Sequence, residues 1–363
     1  MMKTRVPTSL LTLLAFGLAS AACGGGEPAE TTEAPAATQP ADPPAVGLYV
    51  TNETSGDLSV IDAATHTVVA TVPLGKRPRG LAPSPDGTTL YVALSGSPPA
   101  PPGVDESTLP PPDRSADGIG VVDLRQQRLV KVLPSGTDPE QVAISEDGRF
   151  AVVANEDAAM ASVIDLTTDQ ITQTYPVGGE PEGVTVQPRS TRVWVTSEEA
   201  GTVHVIDFAA QQIAGEVPVG PRPRSVAFLP DGSKAYVPSE TGFTLTIIDT
   251  ATLEVTKTLN LGEGMRAMGA VVSPDGSQLY VSTGRSRMVL IVDTASETVV
   301  GQVDAGMRPW GIDISPDGRT LYTANGPSND VSVIDAASRQ VTQRIAVGQG
   351  PWGALVIEAP AGQ

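Results

Sequence analysis

The stretch Ser315-Pro316-Asp317-Gly318-Arg319-Thr320-Leu321-Tyr322-Thr323-Ala324-Asn325, followed by Asp330-Val331-Ser332-Val333-Ile334-Asp335, decides the fold. Pro316 and Gly318 set the dihedrals of a tight turn, and Asp317 can bond its own backbone. The run from Val331 to Ile334 has the period-2 pattern of a strand and stops at an Asp. Working outward, Trp310 to Ser315 reads as an inner strand, Arg319 to Asn325 as a second, Asp330 to Asp335 as a third and Gln340 to Val347 as a fourth. Four short strands joined by turns make one blade of a β-propeller.

The same unit recurs along the chain. An apolar or small residue followed by Asp ends a strand at Asp62, Asp123, Asp165, Asp207, Asp249, Asp293 and Asp335, at intervals of 61, 42, 42, 42, 44 and 42 residues. That period is typical of a four-stranded blade. Related turns stand at Ser84-Pro85-Asp86-Gly87, Ser145-Glu146-Asp147-Gly148, Leu229-Pro230-Asp231-Gly232 and Ser273-Pro274-Asp275-Gly276, degraded in blade 4 to Gln187-Pro188-Arg189-Ser190. Aromatics at 4%, with 37 Gly and 33 Pro, also favour many short strands over helices. The predicted fold class is all-β: a seven-bladed β-propeller over residues 47–358, with a tail at 359–363.

The chain enters at Gly47-Leu48-Tyr49-Val50-Thr51-Asn52, a second strand, and finishes at Gly353 to Ile357, an inner strand. One C-terminal strand joined to three N-terminal strands therefore closes the ring and removes two open sheet edges. The long interval places about 19 extra residues in blade 2, at about 95–116, including Pro98-Pro99-Ala100-Pro101-Pro102 and Pro110-Pro111-Pro112. Proline keeps such a segment stiff and extended. It is expected on the face of the inter-blade loops, as a cover for the channel, a docking segment or a solvated loop.

Residues 1–22 hold Lys3 and Arg5, an apolar run from Leu10 to Leu18, and Ala19-Ser20-Ala21-Ala22 ahead of the single cysteine, Cys23. The run is too short to cross a bilayer and reads as a secretion signal. It resembles a bacterial lipoprotein signal, which implies lipidation of Cys23. An ordinary signal peptide with an incidental cysteine is the alternative. Residues 23–46, rich in Pro, Ala, Thr and acid, are expected to be a disordered tether. Loss of Lys3 and Arg5 would take the formal charge from −18 to about −20, which disfavours nucleic acid and anionic headgroups. The expectation is an extracytoplasmic, membrane-anchored monomer, on the periplasmic side or the cell surface, touching the membrane only through its lipid.

Tyr49-Val50-Thr51-Asn52, Val60-Ile61-Asp62, the Ser-Pro-Asp-Gly turns and the Pro-x-Gly segments resemble the YVTN-repeat β-propellers over residues 47–357. That resemblance implies an exported or surface propeller. Some members are linked to cell-surface layers and some to quinone-cofactor redox catabolism, and a similar fold serves lactonases. A fold does not choose among these.

Chemistry is expected where the inter-blade and second-strand loops emerge together. The inter-blade loops read Arg77-Pro78-Arg79, Asp138-Pro139-Glu140, Glu180-Pro181-Glu182, Arg222-Pro223-Arg224, Gly264-Met265-Arg266, Arg308-Pro309-Trp310 and Gly350-Pro351-Trp352. Glu156-Asp157 and Glu198-Glu199 add to an acidic arc over blades 3 and 4, and Arg285 and Arg287 to a basic arc over blades 5 to 7. Arg77, Arg79, Arg222, Arg224, Arg266 and Arg308 suit bidentate binding of carboxylate or phosphate, with Trp310 and Trp352 as stacking faces. The alternative is that neighbouring loops of opposite sign form inter-blade salt bridges.

Glu140 and Glu182 are the candidate acid or base residues, with Glu180 beside them. His66 falls in a turn on the opposite face and His204 within a strand. Neither has a metal-spaced partner, and no metal or cofactor is expected. No nucleophile elbow, Walker loop or dinucleotide fingerprint occurs. The sequence therefore favours a non-catalytic binding or scaffold module for a protein, an envelope polymer or an anionic small molecule. The alternatives are a lactonase-like hydrolase and an accessory of periplasmic redox catabolism.

Overall fold

The computed structural model describes residues 43–99 and 108–359. The signal segment, Cys23, most of the tether, the middle of the insertion and the last four residues lie outside the described residues.

The described chain forms seven four-stranded antiparallel sheets. Blade 1 orders its strands Pro351–Glu358, Val46–Asn52, Asp57–Asp62 and Thr67–Pro73. This is the closure expected from the mismatched ends. Gly47 pairs with Ile357 and Tyr49 with Leu355, and Thr51 Oγ1 accepts a 2.9 Å bond from Gly353 N. Blades 2 to 7 follow in chain order, each running from the channel outward.

The seven repeated Asp residues turn the third strand into the outer one. Their Oδ1 atoms accept backbone N–H groups of the turn, as from Ala64 to Asp62 (2.7 Å), Gln126 to Asp123 (2.8 Å) and Ser338 to Asp335 (2.7 Å). In the first turn of blades 2, 3, 6 and 7 the Ser hydroxyl donates to Asp, as Ser315 does to Asp317 at 2.6 Å, and glycines such as Gly318 (φ 72°) supply the left-handed residue. Blade 4 lacks that glycine, and there Arg189 takes φ 58°.

Apolar side chains fill the gaps between neighbouring blades. Leu58 and Val60 of blade 1 pack with Leu90, Val92 and Val122 of blade 2, and Val152 and Val163 of blade 3 with Val193 and Val195 of blade 4. Trp194, Tyr236 and Tyr322 are the largest wholly buried side chains. Trp194 Nε1 is satisfied by Gln187 Oε1 at 3.1 Å, so the residue that spoils the blade 4 turn serves the core. These interfaces fix the loops at one end of the channel, and every candidate residue of the sequence stands there except Cys23.

Candidate functional site at the channel mouth

Three rings of seven residues build the mouth. The first is the residue entering each inner strand: Arg77, Asp138, Glu180, Arg222, Arg266, Arg308 and Gly350 for blades 2 to 7 and 1. Five of these precede proline and hold φ between 38° and 55°, namely Arg77, Asp138, Glu180, Arg222 and Arg308. Proline disfavours helical dihedrals in the residue before it and Cβ disfavours the left-handed region, so the loop stores strain at each place.

The second ring lies two residues on: Arg79, Glu140, Glu182, Arg224, Met268, Trp310 and Trp352. Met268 corrects the sequence alignment, in which Arg266 stood beside Arg79 and Arg224. The loop entering blade 6 carries two extra residues, the source of the 44-residue interval, and the strand register resumes only at Gly269. A Cβ on Gly269 would meet Trp310 O at 2.8 Å, as one on Gly183 would meet Arg224 O and one on Gly311 Trp352 O, both at 2.6 Å. Arg266 therefore belongs to the outer ring with Arg222 and Arg308.

The third ring is the residue leaving each second strand, or in blade 6, whose strand ends one residue early at Ser282, the residue after Thr283. It is Glu53, Glu156, Glu198 and Glu240 in blades 1, 3, 4 and 5, and Ser95, Gly284 and Gly326 in blades 2, 6 and 7. Glu156, Glu198 and Glu240 each donate their N–H to the first-ring carbonyl of their own blade at 2.9 Å, and Glu53 does so to Gly350 at 2.8 Å. Equivalent backbone places thus present four equivalent carboxylates.

Acids and arginines pair closely, so the alternative raised by the sequence is realised over much of the ring. Arg224 Nη1 meets Glu182 Oε2 at 2.6 Å and also contacts Glu198, while Nη2 meets Glu240 Oε2 at 2.6 Å. Arg222 pairs with Glu198 (2.5 Å) and Glu240 (3.6 Å), and Arg266 with Glu240 (3.2 Å). Burial raises the Glu240 carboxyl, but Arg224, Arg222 and Arg266 outweigh it and hold the group below its ordinary value.

On the other side Arg77 and Arg79 share Glu53 at 2.9 and 3.2 Å. Arg79 Nη1 also contacts Glu140, and it lies 3.6 Å from Glu156 Oε2 and 4.0 Å from Asp138 Oδ1. Carboxylate oxygens of Asp138, Glu140 and Glu156 all fall within 4.8 Å of one another. The Arg79 guanidinium already supplies a cation to that group. Burial lowers the Glu53 carboxyl's affinity for charge, and the Arg79 and Arg77 charges more than restore it. Glu156 behaves oppositely: burial pushes it up to about 7, helped by Glu182, Asp138 and Glu180 and opposed by Arg79.

The insertion is tied to this side. Arg77 Nη1 donates to Ser97 O at 2.7 Å, Asp117 accepts from Gly96 N at 2.6 Å, and Arg114 contacts Asp157 of blade 3. The described parts therefore lie on the mouth face, as the sequence implied. A cleft of about 420 Å³ between blades 1 and 2 is walled by Pro98, Pro99, Pro110 and Pro111. A wider cavity of about 920 Å³ opens at the other end of the channel.

The blade 6 and 7 sector differs because glycines replace the third-ring acids. Among the described residues neither Arg285 nor Arg308 pairs with a carboxylate, and Arg287 meets only exposed Asp304 at 3.8 Å. Arg308 lies 4.8 Å and Arg224 5.2 Å from the Trp310 ring centroid. Trp310 and Trp352 are 5.6 Å apart at 34°. Burial and the Arg285 charge lower the Arg308 affinity for its proton. Trp352 is buried and Trp310 half-buried. Arg285 is exposed and Arg308 half-buried.

His204 is a strand residue, buried, with Nε2 3.7 Å from Glu216 Oε2. His66 packs edge-on to Tyr322 at the far face, 6.1 Å between centroids.

Comparison with known proteins agrees with this architecture. A family model described as YNCE-like beta-propeller matches residues 113–234, and one described as Lactonase, 7-bladed beta-propeller matches residues 184–350. No curated protein sequence matches the chain. Among solved structures it is similar to the Kuenenia stuttgartiensis hydrazine synthase, with 24% identity, TM-score 0.69, and coverage of 80% of this chain and 92% of that one. It is also similar to a candidate 6-phosphogluconolactonase from Bacteroides uniformis, with 21% identity, TM-score 0.70, and coverage of 86% and 99%. A functionally unknown protein of Desulfotomaculum acetoxidans matches at 17% identity and TM-score 0.70, with coverage of 86% and 99%. At such identities the likeness speaks for the fold alone.

Proposed function

We propose that the mouth binds an anionic ligand on its blade 6 and 7 sector. One observation carries this reading: in a ring where the other arginines are committed to carboxylates, Arg285 and Arg308 have none among the described residues, where Gly284 and Gly326 stand at the places at which four other blades carry Glu. Trp310 offers an aromatic face beside Arg308. Arginine recognises carboxylate and phosphate bidentately. Exposed Arg285 and half-buried Arg308 suit a small anion or the acidic end of a larger molecule. Export and anchoring through Cys23 belong to the same reading, and Cys23→Ala should then release the protein from the membrane fraction.

A thermal-shift screen against sugar acids, phosphates and envelope polysaccharide fragments tests it. An anion that binds the folded state raises Tm by mass action. The shift should disappear in Arg285→Ala/Arg308→Ala. An equal shift in that variant would refute the placement.

The second reading is hydrolysis of an anionic lactone. It is favoured by the lactonase family match over residues 184–350 and by a carboxyl at the mouth pushed to about 7. Water would attack the lactone carbonyl, with an acid of blades 3 and 4 accepting its proton.

A further inference from the structure

We infer that Glu156 is the proton-transfer residue of the mouth, the one third-ring acid left free to exchange a proton with a bound substrate. The inference rests on the small-molecule reading above and assigns the acid within it.

The argument compares four equivalent residues. Glu53 is held by Arg77 and Arg79, Glu198 by Arg222 and Arg224, and Glu240 by Arg222, Arg224 and Arg266. Glu156 has one arginine, at 3.6 Å, and that arginine also serves Glu53 and Glu140. The position that would supply a second cation, the first ring of the next blade, is Arg222 behind Glu198 but Glu180 behind Glu156. Sequence reasoning selected Glu140 and Glu182 for this task. The structure buries both: the Glu140 side chain is 2% and Glu182 8% exposed, against 27% for Glu156. Glu182 is moreover bound to Arg224. Glu156 is thus the most exposed of these carboxylates.

The groups facing Glu156 are Arg79 from blade 2, Asp138 and Glu140 from its own blade, and Glu180 and Glu182 from blade 4. Neighbouring Asp157 is occupied by Arg114 of the insertion. Burial first, then Glu182, Asp138 and Glu180, keep a proton on Glu156 to higher pH than on an ordinary carboxyl against the opposing charge of Arg79, which suits acid and base work near neutrality.

For an anionic lactone the step balances. The Glu156 carboxylate takes a proton from water as the water oxygen bonds to the carbonyl carbon, and the carbonyl π pair moves to its oxygen. The tetrahedral intermediate collapses, the ring C–O bond breaks, and the departing alkoxide takes the proton back from Glu156. One water is added, the product is a hydroxy acid, and no oxidant or metal is required.

The test measures hydrolysis of a panel of sugar-acid lactones and anionic aryl esters by the full chain, with its Glu156→Gln and Glu156→Asp variants, and their anion-induced thermal shifts in parallel. The inference predicts an acid limb in the wild-type pH–rate profile near pH 7. It also predicts a kcat about 10² to 10⁴-fold lower in E156Q with KM changed less than about threefold, and partial activity in E156D with a displaced limb. A rate in E156Q equal to wild type, a profile flat from pH 5 to 9, or no wild-type turnover across the panel would each overturn it. The thermal shift separates the two levels: an anion shift retained without turnover leaves the binding site standing and removes Glu156 from catalysis.

Discussion

The Arg224 and Arg79 sides of the mouth use the same backbone positions and reach opposite electrostatic outcomes. Around Arg224 three acids, Glu182, Glu198 and Glu240, meet three arginines, Arg222, Arg224 and Arg266. Around Arg79 four acids, Glu53, Asp138, Glu140 and Glu156, meet two arginines, Arg77 and Arg79. A balanced buried network acts as a staple between blades. A network with surplus acid must either hold a proton or take charge from a ligand.

The largest effect expected from breaking this comparison is on the balanced side. Arg224→Ala leaves three nearly buried carboxylates short of their main cation, and loss of one partner of such a network costs about 3–5 kcal/mol. Chemical denaturation should show a lower midpoint with an unchanged slope. A variant as stable as wild type would mean that the network contributes nothing to blade docking.

The next effect separates the two sides by pH. Glu156 keeps its proton to about 7 when folded but only to the ordinary carboxylate value when unfolded. The unfolded chain therefore ionises first, and this residue erodes stability as pH rises from about 4.5 to 7, with no further loss above. Glu240 has the opposite sign. Its folded value is depressed, so its contribution is present above the ordinary value and lost as pH falls through the folded one. Glu156→Gln should thus stabilise the protein at pH 8 by about 2 kcal/mol and change little at pH 4. Glu240→Gln should destabilise it at pH 8. Unfolding midpoints across that range decide the matter, and equal pH slopes in the two variants would erase the distinction.

The smallest effect concerns the edge of the acid-rich side. Lys76 and Asp113 pair at 2.7 Å but are 58% and 44% exposed. Lys76→Ala should shift stability by less than about 0.5 kcal/mol. A larger loss would show that the insertion braces the Arg77 and Arg79 group more firmly than its surface contacts indicate.

The ring, its closure and the face that carries the loops were legible in the sequence because turn chemistry and strand period repeat at a fixed interval. Pro316, Gly318 and the seven strand-ending Asp residues act locally, within a few residues of themselves. The charge of each loop was legible too, but its partner was not. Arg224 draws on blades 4 and 5, and Arg79 on blades 1 and 3, contacts that depend on how far a side chain reaches across the channel. Met268 was misplaced because two residues added before it shift the register, and only the strand pairing at Gly269 shows where the blade resumes. Glu156 was named among the acids without being distinguished. Its difference from Glu198 lies in Glu180 standing where Arg222 stands in the next blade, which shows only when the seven blades are superposed.

Carbon-13 NMR titration of the side-chain carboxyls, with Glu156 and Glu240 assigned through their Gln variants, tests the central comparison directly. The account predicts that Glu156 titrates near pH 7 and Glu240 below the ordinary glutamate value. Both residues titrating together between about pH 4 and 5 would contradict it, since the two sides of the mouth would then be electrostatically alike.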